Sequence, residues 1–164
     1  MLATRRLEFA AAIGVVILDQ ATKALVRDRF DLFDTMQVIP GFVNLTRIHN
    51  TGAAFGMLNA TDLPMKTAIL GVVAGVALIG LALYAASLPL NQHMTRLGLS
   101  LIIGGAAGNL IDRVAAGYVV DFVDVYFGAW HFWAFNVADA AITVGVSLMI
   151  LDLLGVGRRV PGTL

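Results

Sequence analysis

The sequence predicts a membrane α-helical fold, with four transmembrane helices and a small β-rich cradle outside the bilayer. Three observations lead there. Of 164 residues, 59% are hydrophobic and 13% charged, proportions foreign to a water-soluble globule. Four apolar stretches recur along the chain at roughly membrane-spanning length. Between them lie two polar segments that contain short β-branched runs bounded by turn residues. The length suits one integral-membrane domain over residues 1–164, with spans near 7–26, 67–86, 97–113 and 137–156 and extramembrane segments 27–66 and 114–136.

The first span follows Arg5 and Arg6 and stays apolar through Leu18 before meeting Asp19, Gln20 and Lys23. It is read as uncleaved, because no small-residue cleavage site followed by a soluble sequence comes after it. Asp19 and Lys23 are four apart and share a helix face, so they can pair. In 27–66, Pro40-Gly41 marks a turn between two β-forming runs, and the loop His49-Asn50-Thr51-Gly52-Ala53-Ala54-Phe55-Gly56 follows. The second span, 67–86, holds twenty residues without a charge, and Gly71 and Gly75 form a GxxxG face suited to close helix packing. In the third, only fifteen uncharged residues separate Arg96 from Asp112, which sets Asn109, Asp112 and Arg113 at or just below one membrane surface. The run Gly104-Gly105-Ala106-Ala107-Gly108 reads as helix packing. Residues 114–136 add a second β-like piece around Asp121 and an aromatic cluster, Tyr126, Phe127, Trp130, Phe132, Trp133 and Phe135, suited to the headgroup layer.

If the spans alternate in direction, the polar ends of the first, third and fourth emerge on one face. Asp19 and Lys23, then Asn109, Asp112 and Arg113, then Asn136 and Asp139 would converge there, with Asn50 and Asp121 alongside. Lysine and arginine split five to six between the two sides. Those on the termini side lie in short segments, which favours cytoplasmic termini and a site facing outward.

Four of the eleven acidic residues fall within 108–139. Asp121 and Asp139 are set among apolar neighbours, where an unpaired carboxylate is costly. Each has a bland reading. Asp139 lies three residues past Asn136, as in a helix-capping pair, and Asp121 suits a sheet edge held by a cation such as Arg113. Together at a membrane surface they suggest a dyad that shares one proton and offers a base and an acid, the apparatus of aspartic proteolysis. Asp112, Asp121, Asp124 and Asp139 could instead gather magnesium for a phosphotransferase acting on lipid, but metal and phosphate fingerprints are missing. A proton-coupled transporter is the other alternative, although it calls for polar groups spread across bilayer depth. Asp124, on the opposite strand face from Asp121, goes to solvent or a local ion pair, and Asp152 is placed near Arg158 or Arg159. The absence of cysteine removes disulfides and thiol chemistry, and zero net charge gives no reason to expect nucleic acid.

Five blocks, Leu18-Asp19-Gln20-Ala21-Thr22-Lys23, Asn50-Thr51-Gly52-Ala53-Ala54-Phe55, Gly108-Asn109-Leu110-Ile111-Asp112-Arg113, Val119-Val120-Asp121-Phe122 and Phe135-Asn136-Val137-Ala138-Asp139, occur in the order of the bacterial lipoprotein signal peptidase (signal peptidase II) family, which the chain resembles over nearly its whole length. The resemblance implies an inner-membrane aspartic endopeptidase that removes signal peptides from prolipoproteins, cutting before a cysteine that carries a diacylglyceryl group. It implies a catalytic dyad of Asp121 and Asp139, a lining of Asn50, Gly52, Asn109, Arg113 and Asn136, and support from Asp19, Lys23 and Asp112, with Asp19 and Lys23 bracing the Asn50 loop. Globomycin-like inhibitors and membrane lipid are the implied partners, with no metal or cofactor and a monomeric enzyme. The chain departs from the family pattern at Trp133, often proline, and at Gly56, commonly serine.

Overall fold

The protein is described by a computed structural model over residues 2–52 and 65–156. Four helices and a four-stranded antiparallel sheet follow in the order α1 (Leu2–Arg29), β1 (Thr35–Ile39), β2 (Val43–Asn50), α2 (Lys66–Ser87), α3 (His93–Ala116), β3 (Val119–Phe127), β4 (Trp130–His131) and α4 (Val137–Leu153). Residues 6–29, 66–87 and 93–116 form helices long and apolar enough to cross a bilayer. The fourth, α4, has 17 residues, or about 26 Å, a little less than a typical hydrocarbon core of about 30 Å.

α3 is the central post, packed by α1 on one side, α4 on another and α2 on a third. Its small residues make this possible. A Cβ on Gly108 would lie 2.5 Å from Asp19 Oδ2, and one on Gly105 would collide with the carbonyl oxygen of Ala138 and come within 2.8 Å of Ile142 Cγ1. The glycine-rich run is therefore a packing device, as its composition suggests. The GxxxG face of α2 is not: Gly71 and Gly75 look onto open space, and no residue of α2 is buried. Close packing needs a partner helix on that face as well as small residues, and α2 turns another side to α3.

α3 runs through both charges expected to bound its span. Near its N-terminal end Arg96, 6% exposed, grips both carboxylate oxygens of Glu8 at 2.6 Å. It also donates to the carbonyls of Ala85 and Leu88, at 3.3 and 2.7 Å, where α2 ends. One guanidinium thus ties α1, α2 and α3 together. Arg96→Met should lower stability by about 3–5 kcal/mol, the usual cost of breaking a buried ion pair, read as a drop in the thermal midpoint in detergent. Nearby, Asp152 accepts a hydrogen bond from Thr95 Oγ1, while Arg158 and Arg159, its expected neighbours, lie outside the described residues.

The strands are ordered β1-β2-β3-β4. Pro40 and Gly41 make the β1–β2 turn, Gly41 at φ 78°, the left-handed region glycine tolerates. A bulge between Leu45 and Ile48 shifts the β2–β3 register, so that Ile48 faces Asp121 and Asn50 faces Val119. Asn50, two residues beyond Ile48, shares its sheet face with Asp121. Arg47 anchors the sheet to α1 by donating to the Arg27 and Phe30 carbonyls at 3.2 and 2.8 Å, a cation at the negative end of the helix. Val26, Val120 and Phe122 form the small apolar core between them. The aromatic cluster stays largely on the surface, Phe127, Trp130 and Trp133 being more than half exposed.

Candidate active site

Residues after β4 fold back along β3, where Val123 and Phe135 exchange main-chain hydrogen bonds at 2.8 and 3.0 Å. This return delivers Asn136 beside Asp121 and starts α4 there. Asn136, fully buried, caps α4: its Oδ1 accepts from Asp139 N at 3.0 Å, and Asp139 Oδ2 accepts from Asn136 N at 3.2 Å. The capping arrangement anticipated from sequence is thus real. It does not remove Asp139 from the cavity, which measures about 620 Å³ and is lined by Asn50, Asn109, Arg113, Asp121 and Asp139. The rest of its wall is apolar, from the aromatic stretch 132–135 to Ile142 and Val144 on α4.

Both carboxylates are held by amides. Asn136 Nδ2 donates to Asp121 Oδ1 at 2.7 Å and Asn50 Nδ2 to Asp121 Oδ2 at 3.1 Å. Asn109 Nδ2 donates to Asp139 Oδ1 at 2.8 Å. The Asn50 amide is oriented in turn by Gly52 N, which donates to its Oδ1 at 2.9 Å. Arg113 does not hold Asp121, as its bland reading supposed. It donates to the carbonyls of Asn109 and Gly52, at 3.2 and 3.0 Å, tying α3 to the Asn50 loop. Burial pushes the Asp121 carboxyl up to about 7, and the charge of Asp139 adds to the effect against the opposing Asn50 and Asn136 hydrogen bonds.

Beneath the cavity lies a buried ionic cluster. Lys23 pairs with Asp19 at 2.8 Å and Asp112 at 3.0 Å, and Arg27 stands 3.5 Å from Asp112. Asp19 Oδ1 accepts from Ala138 N at 3.0 Å and Asp112 Oδ2 from Val120 N at 3.2 Å. These two acids therefore pin the segments that carry Asp139 and Asp121. Among the described residues the expected bracing of the Asn50 loop by Asp19 and Lys23 is not made: their hydrogen bonds and ion pairs go to Asn109, Asp112, Gln20 and Ala138, and Arg113 holds Gly52 instead. Gln20 and Arg27 were missed. Gln20 Nε2 bridges Asp19, Asp112 and the Gly108 carbonyl at 3.1 to 3.3 Å, and its place beside Asp19 in an apolar helix was the available signal.

The four aspartates weighed as a magnesium site do not converge. Asp112 is committed to Lys23 and Arg27, and Asp124, on the far face of β3, bonds Asn44 at 2.9 Å and His131 at 2.9 to 3.0 Å. That local ion pair is one of the two fates expected for it.

The comparisons with known proteins agree with this layout. A family model described as Signal peptidase (SPase) II matches residues 11–155. A lipoprotein signal peptidase of Geobacter sulfurreducens is 43% identical over 156 residues, covering 95% of this chain and 96% of the relative. One of Symbiobacterium thermophilum is 44% identical over 154 residues, covering 93% and 97%. A bacterial membrane enzyme solved by the in meso method at 2.3 Å resolution superposes with a TM-score of 0.81 at 34% identity, over 96% of this chain and 93% of that one. A second such structure, at 1.9 Å, gives 0.78 at 35% identity over 93% and 94%. None of these supports the transporter reading. With residues of four motif blocks lining one cavity, the first block packed beneath it, and near-complete coverage of these relatives, the chain belongs to the signal peptidase II family.

Proposed function

We propose that this protein is an aspartic endopeptidase that removes signal peptides from prolipoproteins, cutting before a cysteine that bears a diacylglyceryl group. The observation that carries the reading is that Asp121 and Asp139, eighteen positions apart in sequence, line one cavity and are joined through the Asn136 and Asn109 amides. In the reaction, the ionised carboxylate takes a proton from water as the water oxygen bonds to the peptide carbonyl carbon. The protonated carboxyl gives its proton to the developing oxyanion and takes it back as the carbonyl re-forms. When the C–N bond breaks, the departing amine collects the proton taken from water, which leaves a carboxylic product and the dyad in its starting state. The apolar part of the wall, Ile142 and Val144 among it, suits a signal helix or an acyl chain.

We read the chain as four-span, with the bilayer thinned locally to suit the 17 residues of α4. Both termini are assigned to the cytoplasm, the site and the sheet to the outer face of the inner membrane, and the enzyme to the monomeric state, with globomycin-like peptides as inhibitors at this cavity. No metal or cofactor takes part in the proposed chemistry.

The test is cleavage of a purified precursor in detergent, with and without the diacylglyceryl group, the new N-terminus being read by mass spectrometry. Cleavage before the lipidated cysteine is expected. Cleavage elsewhere, or equal turnover of the unlipidated precursor, defeats the reading. The pH profile adds a second check. A pair that works with one shared proton fails once that proton leaves, and the Asp121 carboxyl is raised to about 7. Activity should therefore be present below that value and fall as pH rises through it.

A further inference from the structure

Lys23 lies outside the cavity, yet its hydrogen bonds lead into it. The side chain is fully buried, and its ammonium has three N–H groups for three acceptors: Asp19 Oδ2 at 2.8 Å, Asp112 Oδ2 at 3.0 Å and Asn109 Oδ1 at 2.9 Å. Arg27 stands against the other Asp112 oxygen, so the two carboxylates of the cluster face two cations. The third N–H goes to a neutral amide. Asn109 Oδ1 accepts a second hydrogen bond, from Asn136 Nδ2 at 3.2 Å, and with two donors on its oxygen the amide cannot turn over. Its NH2 group is thereby fixed on Asp139 Oδ1 at 2.8 Å.

The two carboxylates consequently sit in different fields. Asp139 receives an amide polarised by a buried ammonium on one oxygen and the main-chain N–H of Asn136 on the other, at the positive end of α4. Asp121 lies within β3, beside the start of α4 but without a main-chain N–H of that helix on either oxygen, and its donors are the side-chain amides of Asn136 and Asn50, with the Asn50 oxygen committed to Gly52 N. The charged groups around Asp139 are Lys23 and Asp19 from α1, Arg113 and Asp112 from α3, and Asp121 from β3. Asp19 and Asp112 are matched by Lys23 and Arg27, and the charges of Lys23 and Arg113 reach Asp121 as well as Asp139, so what separates the pair is the hydrogen-bonded path from Lys23 through Asn109, which ends on Asp139.

We propose that Lys23 is a positioning residue for the dyad: through the Asn109 amide it keeps Asp139 ionised and leaves the single shared proton on Asp121. Asp139 is then the base that takes the proton from water, and Asp121 the acid that donates to the oxyanion. This rests on the reading of Asp121 and Asp139 as the dyad.

The experiment is the pH dependence of kcat and KM for Lys23→Met and Asn109→Leu in detergent, with Asp139→Asn run alongside. Without the relay Asp139 holds a proton more readily, so the acidic limb of kcat should move up by about one pH unit in both variants, with KM little changed. A merely structural role would lower the rate by one factor at every pH, and an unmoved acidic limb in a folded variant overturns the assignment. If Lys23→Met does not fold, Asn109→Leu decides alone, since it leaves Lys23 paired with Asp19 and Asp112. An inactive Asp139→Asn together with an unmoved limb sinks this inference only; an active Asp139→Asn sinks the dyad beneath it.

Discussion

Asp121→Asn and Asp139→Asn each reduce kcat for a diacylated prolipoprotein by about 10³-fold or more, because either change removes one of the two groups that move a proton. The fold survives both. Asp121 accepts an amide N–H on each oxygen, and an asparagine offers one oxygen and one NH2 group, so a single hydrogen bond worth about 1 kcal/mol is lost. A gain opposes this loss. The Asp121 carboxyl is raised in the folded state above its ordinary value, so the stability it contributes is full at acid pH and is lost as pH rises through about 7. Asparagine carries no such dependence, and near neutral pH the variant should melt close to the parent. In Asp139→Asn the main-chain half of the capping box, Asp139 N to Asn136 Oδ1, is untouched. Rates and thermal midpoints measured on the same preparations decide the matter, and turnover within about tenfold of the parent in either variant refutes the dyad. Asp124→Asn, on the far face of β3 and bonded to Asn44 and His131, should keep most activity.

Much of this arrangement was legible in the sequence because lipid makes polar residues conspicuous. An apolar helix that carries Asp19, Gln20 and Lys23 within one turn has to answer for them, and alternation of spans was enough to bring those residues to Asn109, Asp112, Asn136 and Asp139. The turn at Pro40-Gly41 and the strand around Asp121 were equally open to local reading, since turn chemistry and β-branched runs act over a few residues. What stayed hidden depends on contacts between distant segments. The bulge after Leu45 that turns Asn50 toward Asp121 has no residue signature of its own. The donors of Arg113 find main-chain carbonyls rather than a carboxylate, and carbonyls are invisible to a reading that matches charges. The pairing of Glu8 with Arg96 joins residues 88 positions apart, and nothing local singles out either one. The GxxxG face of α2 errs in the opposite way, showing the motif without the partner.

Gly105→Ala should cut kcat by about 10²-fold although it adds only one methyl group, at a residue outside the cavity lining. Gly105 lies on α3 where α4 begins, and the new Cβ would meet the carbonyl oxygen of Ala138 and Ile142 Cγ1, the latter at 2.8 Å. Main chain cannot yield as a side-chain tip can, so α4 must move outward at its first turn. Ala138 precedes Asp139, and its N–H is the group that Asp19 holds at 3.0 Å. A shift of this kind lengthens that bond together with those from Asn109 Nδ2 and Asn136 N to Asp139, and it separates Asp139 from Asp121, which stays with β3. Displacement of a catalytic group by about 1 Å is enough for a loss of that order. Overpacking also costs about 1–3 kcal/mol, so the thermal midpoint should fall, and the rate is to be measured well below it. Gly71→Ala supplies the comparison: its Cβ meets nothing within 4 Å, and both rate and midpoint should match the parent. Equal behaviour of the two variants would mean that the close approach of α3 and α4 does not set the position of Asp139.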